Sequence, residues 1–165
     1  MKVAVIMGSD SDLPVLQPAL DTLRQFGVDY EVLVASAHRT PDKVHEFAAG
    51  AAERGVKVII AAAGAAAHLP GVIASYTTLP VIGIPVDSTS VGGLDALLSI
   101  VQMPAGIPVA TMAINGAKNA ALFSLQILAA ANSQLAEQLV QYRRTLADEV
   151  EQKNANLQQK LNSNR

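Results

Sequence analysis

The chain has 165 residues, half of them hydrophobic, with 12 Lys and Arg against 14 Asp and Glu and a formal net charge of −2. That suits one domain with ample apolar material for a core, and it leaves no basic footprint for nucleic acid or anionic lipid. No cysteine is present, which excludes disulfides, thiolate nucleophiles, zinc–cysteine sites and iron–sulfur clusters.

In chain order, short apolar runs alternate with helical patterns. Met1-Lys2 leads directly into the strand-like run Val3-Ala4-Val5-Ile6-Met7, without the features of a signal peptide. No apolar run reaches the roughly 20 residues that span a bilayer, so a cytoplasmic protein is expected. Strands are expected over 2–7, 29–34, 57–62, 80–86 and 108–114. Most are nearly continuous apolar runs, as in parallel sheets covered on both faces.

The first helix carries Leu13, Leu16, Leu20 and Leu23 and ends at Gly27. The second starts at Thr40-Pro41, with a capping hydroxyl and a proline suited to the first turn. It is expected to bury Val44, Phe47 and Ala51 and to stop at Gly55. A short helix follows near 68–76, and two more over 92–102 and 117–131. Alternation of this kind predicts an α/β fold: a three-layer, flavodoxin-like, doubly wound parallel sheet in the order 2-1-3-4-5.

Residues 1–132 form that domain in this reading, and 133–165 an extended C-terminal helix. Leu135, Leu139, Tyr142, Leu146, Val150, Leu157 and Leu161 make a narrow apolar stripe on it. A helix of roughly 40 Å exceeds what a small domain covers by itself, so the stripe is expected to pack on another subunit. The alternative is a helix that breaks past Lys153.

Ligands of open α/β sheets bind beyond the carboxyl ends of the strands, and the polar residues are found there. After the first strand come Gly8, Ser9, Asp10, Ser11 and Asp12. The serine hydroxyls and free amides can hold a phosphate and the aspartate a sugar diol. The same residues serve equally as an ordinary turn and cap. No Walker A or dinucleotide fingerprint is present.

After the second strand, Ser36, His38 and Arg39 precede Thr40. His38 can exchange protons near neutral pH and Arg39 can grip a phosphate. If the first two strands are neighbours, Arg39 stands beside the Ser9 loop. After the third strand, the small residues around Gly64 leave room for a flat ligand, and His68 either lines that space or merely caps a helix. His45 reads as a surface residue. Asp87-Ser88-Thr89-Ser90 either lines the site or makes a turn, and the segments at Gln102-Met103-Pro104 and Asn115–Asn119 are candidates for closing it. No metal-ligand pattern appears.

Met7-Gly8-Ser9-Asp10-Ser11-Asp12, Ser36-Ala37-His38-Arg39-Thr40-Pro41, Ala66-Ala67-His68-Leu69-Pro70-Gly71 and Ser99-Ile100-Val101-Gln102-Met103-Pro104 occur in this order. Together they resemble the bacterial 5-(carboxyamino)imidazole ribonucleotide mutase family, the catalytic subunit of phosphoribosylaminoimidazole carboxylase. The resemblance covers about residues 2–131.

It implies an isomerase of purine biosynthesis. The enzyme loses a carboxyl from the exocyclic nitrogen of the substrate as carbon dioxide and recaptures it on ring carbon 4, without cofactor or metal. His38 would be the catalytic proton shuttle. Ser9, Ser11 and Arg39 would hold the phosphate and Asp12 the ribose. Gly8 and Ser36 complete the binding set, with Gly64 and His68 around the base and carboxyl. The partners implied are the ribonucleotide and other copies of the chain, as an octamer, with no nucleic acid and no membrane.

The family's usual Gly-Ala-Gly-Gly reads Ala62-Ala63-Gly64-Ala65 here. The added methyls either crowd the pocket or fix an unusual backbone. Rival functions are direct carboxylation of aminoimidazole ribonucleotide by free carbon dioxide and a non-catalytic module that binds nucleotide monophosphates.

Overall fold

A computed structural model describes residues 1–163. Its strands are β1 (Lys2–Met7), β2 (Asp29–Val34), β3 (Val56–Gly64), β4 (Val81–Val86) and β5 (Ala110–Thr111). They form one five-stranded sheet in the order β2-β1-β3-β4-β5, parallel at every pairing. The helices among the described residues are α1 (Leu13–Gln25), α2 (Pro41–Ala49), α3 (Leu69–Tyr76), α4 (Leu94–Val101), α5 (Ala117–Ala129) and α6 (Ser133–Ser163). This is the flavodoxin-like architecture that the alternating pattern predicts.

The apolar runs form strands because both faces of the sheet are covered. β4 is buried at every residue, and β3 at every residue but Lys57 and Gly64. The edge strand β2 is different, with Val32 and Val34 each 43% exposed. On one face, Ala4 and Ile6 of β1 and Ala61 and Ala63 of β3 pack with Val44 and Ala48 of α2, Ile73 of α3 and Ile100 of α4. Val3, Val5 and Met7 alternate to the opposite face, where right-handed crossovers put α1 and α5.

The departures from expectation have local causes. α2 closes at Gly50, where glycine costs helix about 1 kcal/mol. Irregular turns then carry the chain to Gly55, at φ +82°. Phe47 is only partly buried and packs beneath the Arg54 guanidinium, 4.8 Å from its ring, while Ala48 takes the core position.

β5 pairs only Ala110 with Ile82 and Thr111 with Gly83. Pro108 has no amide to begin the ladder. The remainder of the expected strand is tied down by single bonds, from Met112 N to Gly83 O and from Asn115 N to Pro85 O.

The chain forms two compact units, Met1–Leu128 and the segment from Ala129 onward. The second consists chiefly of α6, which is continuous through Ser163 with no break past Lys153. At 1.5 Å per residue it is roughly 46 Å long. Leu135 is buried, whereas Val140, Leu146, Val150, Leu157 and Leu161 are exposed. No helix among the described residues is long and apolar enough to cross a membrane.

Candidate functional site

In the order β2-β1-β3-β4-β5, the chain leaves β1 in one direction and returns to β3 on its other side. Loops at the carboxyl ends of β1 and β3 therefore diverge and open a crevice. A cavity of about 410 Å³ lies there, within the roughly 300–1,000 Å³ range of ligand pockets. Gly8, Ser9, Ser11 and Asp12 line it from the end of β1. Ser36, His38 and Arg39 line it from β2, and Gly64 and His68 from β3. The structure thus brings these nine residues, from three separate strand ends, to one cavity.

The loop after β1 is tightly organised. Ser9 caps a short 3-10 turn over Asp10–Asp12: its Oγ accepts from Ser11 N at 3.3 Å, and Asp12 Oδ2 accepts from Ser9 N at 3.2 Å. Ser11 Oγ donates to Ser9 Oγ at 2.8 Å. These bonds place both hydroxyls side by side on the cavity wall. Asp12 is nearly buried, and burial raises its carboxyl above the usual value. The amides of Ser9 and Gly8 act against that shift, and nearby Asp10 adds to it. A Cβ at Gly8 would meet nothing closer than Asp12 Oδ2 at 4.0 Å, so the protein's own packing does not require glycine there.

In the loop after β2, Thr40 is not the side-chain cap that the sequence suggested. Its Oγ1 accepts from Ser36 N at 2.9 Å and donates to Ser36 O at 3.1 Å. The hydroxyl closes the loop on itself and so holds the intervening His38 and Arg39 in place. Ser36 Oγ accepts from Arg39 N at 3.2 Å. The Arg39 guanidinium reaches back to donate to Gly8 O at 3.2 Å, which sets it beside the Ser9 loop.

His68 precedes α3 without capping it. Its Nδ1 lies 2.8 Å from His38 Nε2, and the rings meet edge to face with centroids 4.9 Å apart. One nitrogen of the pair donates and the other accepts. That hydrogen bond couples the tautomers of the two rings.

Ala65, beside Gly64, has φ +52°, a left-handed conformation costly for a residue with a Cβ. Ala62 is fully buried in the sheet between Met7 and Ile84. Neither added methyl lines the cavity. Ala65 fixes an unusual backbone and Ala62 fills core.

The remaining candidates separate. His45 is exposed and packs on Tyr76, with ring centroids 4.4 Å apart, away from the cavity. Residues 102–104 and 115–119 do not line the cavity. Asn115 instead accepts from Asp87 N at 3.0 Å through Oδ1, next to Ser88 in the chain. Ser88 does line it. Its neighbours gave the sequence reading no means of telling wall from turn. Ala63, Ala66 and Leu69 add an apolar lining that their small or aliphatic side chains left unmarked. Among the described residues, no three His, Asp or Glu side chains converge as a metal site.

The site can therefore offer a paired-hydroxyl and guanidinium grip for an anion, a buried carboxylate for hydroxyls, and a histidine pair against an apolar wall. Comparison with known proteins agrees in its direction. The family model described as AIR carboxylase matches residues 2–149. The N5-carboxyaminoimidazole ribonucleotide mutase of Pyrococcus horikoshii is 56% identical over 157 residues, covering 95% of this chain and 89% of that one. The protein of the same name from Mycobacterium tuberculosis H37Rv is 57% identical over 157 residues, covering 95% and 90%. The crystal structure of Treponema denticola PurE superposes with a TM-score of 0.84 at 28% identity, covering 94% of this chain and 98% of that one.

Proposed function

The chain belongs to the AIR carboxylase family, and on that premise we propose that it is an N5-carboxyaminoimidazole ribonucleotide mutase of purine biosynthesis. In this reading it moves a carboxyl group from the exocyclic nitrogen of the ribonucleotide to ring carbon 4. The observation that carries the reading is the 2.8 Å His38–His68 contact in the same cavity as Arg39 and the Ser9–Asp12 loop.

The ribonucleotide phosphate sits against the Ser9 and Ser11 hydroxyls and Arg39, whose planar fork suits phosphate oxygens. Asp12 accepts from the ribose hydroxyls. His38 delivers a proton to the exocyclic nitrogen as the nitrogen–carboxyl bond breaks, leaving carbon dioxide and aminoimidazole ribonucleotide. Ring carbon 4 then attacks the trapped carbon dioxide, and His38 removes the proton that this carbon carries. One proton is given and one is taken, so the site returns to its starting state. His68 shares that proton and keeps the His38 ring oriented between the steps. The apolar lining of Ala63, Ala66 and Leu69 suits retention of carbon dioxide and exclusion of water.

Direct carboxylation is the alternative within the family. The relatives at 53–61% identity named as mutases favour carboxyl transfer. The test supplies the carboxyamino ribonucleotide and follows the ring product by absorbance while bicarbonate is varied. A rate independent of bicarbonate supports the mutase. Product that appears only in proportion to bicarbonate supports direct carboxylation.

We also propose that the protein works as a homo-octamer in the cytoplasm. α4 carries Leu94, Leu98 and Val101 exposed opposite its buried Ala96 and Ile100. A helix with apolar side chains on two opposite faces is one that expects further burial. The exposed row on α6 asks for the same. The cysteine-free sequence suits a reducing compartment.

A further inference from the structure

We propose that Ser88 is a substrate contact that recognises the carboxyl group of the ribonucleotide, at the end of the cavity remote from the phosphate. The proposal rests on the mutase reading above and deepens it.

The cavity runs across consecutive strand ends, from β2 through β1 and β3 to β4. The anion grip of Ser9, Ser11 and Arg39 occupies the β2–β1 end, and Ser88 stands beyond β4. Neighbouring strands lie about 4.8 Å apart, so β1 and β4 are separated by roughly 10 Å. A phosphoribosyl imidazole with its phosphate on the grip extends along this direction. Its ring comes over β3, and the substituents of the ring point toward β4.

The hydroxyls lining the cavity differ in their engagement. Those of Ser9 and Ser11 are bonded to each other, and that of Ser36 accepts from Arg39 N. Ser88 Oγ has no partner among the described residues, so its proton is available to a ligand. The segment bearing it is nevertheless held on both sides. Asp87 N donates to Asn115 Oδ1 at 3.0 Å, and Thr89 Oγ1 donates to Asp95 Oδ2 at 2.9 Å.

Ser88 also explains Gly64. A Cβ built on Gly64 would lie 2.0 Å from Ser88 Oγ and 2.9 Å from Ser88 Cβ. The hydroxyl therefore rests against bare main chain at the end of β3, and any other residue at 64 would push it out of place.

The chemistry of this end suits a carboxyl that must leave and return. Beside the apolar Ala63, Ala66 and Leu69, Ser88 offers the carboxyl one neutral donor, whereas the Arg39 guanidinium is held by Gly8 at the phosphate end. A strong ion pair would stabilise the bound carboxylate and deepen the ground state from which decarboxylation starts. A single hydroxyl orients the group without that penalty.

The experiment measures binding of two ribonucleotides to the full-length parent and to Ser88→Ala: the 4-carboxylated product and aminoimidazole ribonucleotide, which lacks the carboxyl. A lost hydrogen bond to a charged group predicts about ten- to a hundredfold weaker binding of the carboxylated ligand, with the uncarboxylated ligand unchanged. Equal weakening of both, or no change in either, overturns the role of Ser88 and leaves the mutase reading intact if the parent turns over. A parent that binds neither ribonucleotide overturns both.

Discussion

Arg39 donates Nη2 to the carbonyl oxygen of Gly8 at 3.2 Å, tying the loop after β2 to the loop after β1. The bond fixes one edge of the guanidinium and leaves its remaining donors to face a ligand between the two loops. Lysine retains the charge but has no planar fork with which to hold Gly8 and an anion together. Arg39→Lys is therefore expected to weaken ribonucleotide binding by about tenfold, with a smaller effect on the rate of bound substrate. Calorimetric titration with the ribonucleotide and with its dephosphorylated nucleoside checks this. The parent should bind the nucleoside poorly, and the variant should lose most of the difference between the two ligands. Equal parent affinity for both would place the anion grip elsewhere.

Asp12 links the site to stability. Burial holds its carboxyl above the usual value, against the opposing amides of Ser9 and Gly8 and with Asp10 adding to the rise. A group whose value is raised by folding contributes stability that is complete below its unfolded value and is lost as pH rises through the folded one. At neutral pH the ionised Asp12 is therefore a cost. Asp12→Asn keeps an oxygen to accept from Ser9 N, so it is expected to raise Tm at neutral pH. The gain should shrink as the solution is acidified, while ribonucleotide binding weakens at neutral pH. Thermal melts of both proteins across the acid range test this, and a gain that persists unchanged in acid contradicts it.

The C-terminal helix gives a prediction about assembly. α6 has 31 residues and leaves Val140, Leu146, Val150, Leu157 and Leu161 exposed. Leu146, Val150, Leu157 and Leu161 lie along one side of the helix, and an exposed apolar row of this kind marks an interaction surface. Removing the chain after residue 132 is expected to lower the oligomeric state measured by light scattering. A truncated protein of unchanged assembly size would assign the subunit contacts to the remaining chain.

Much of this site is legible in the sequence because a parallel sheet collects its loops at one end. Once the apolar runs are read as strands in the order 2-1-3-4-5, Ser9, Asp12, His38, Arg39, Gly64 and His68 fall at adjacent strand ends without knowledge of any contact. What escapes is set by tertiary detail. Thr40 has the sequence position of a helix cap, yet its hydroxyl serves Ser36, because the loop folds back on itself. His68 looks like a helix cap and instead meets His38, thirty positions away. Nothing local distinguishes Ser88 from a turn serine; only the closeness of Gly64 does. The end of α2 at Gly50 and the brevity of β5 are competitions of about 1 kcal/mol per residue, which propensity and pattern resolve poorly.

In the proposed reaction His38 carries both proton transfers. The direct measurement is turnover of the carboxyamino ribonucleotide by His38→Asn beside the parent, with ribonucleotide affinity and Tm recorded for both. Loss of a general acid–base group typically slows reaction by about 10²–10⁴-fold, and a single residue serving two steps should place the variant at or beyond the upper end. The expected result is that fall, with folding retained and ribonucleotide affinity near that of the parent. A His38→Asn protein that turns over within about threefold of the parent, far inside the loss expected for a general acid–base group, would contradict it.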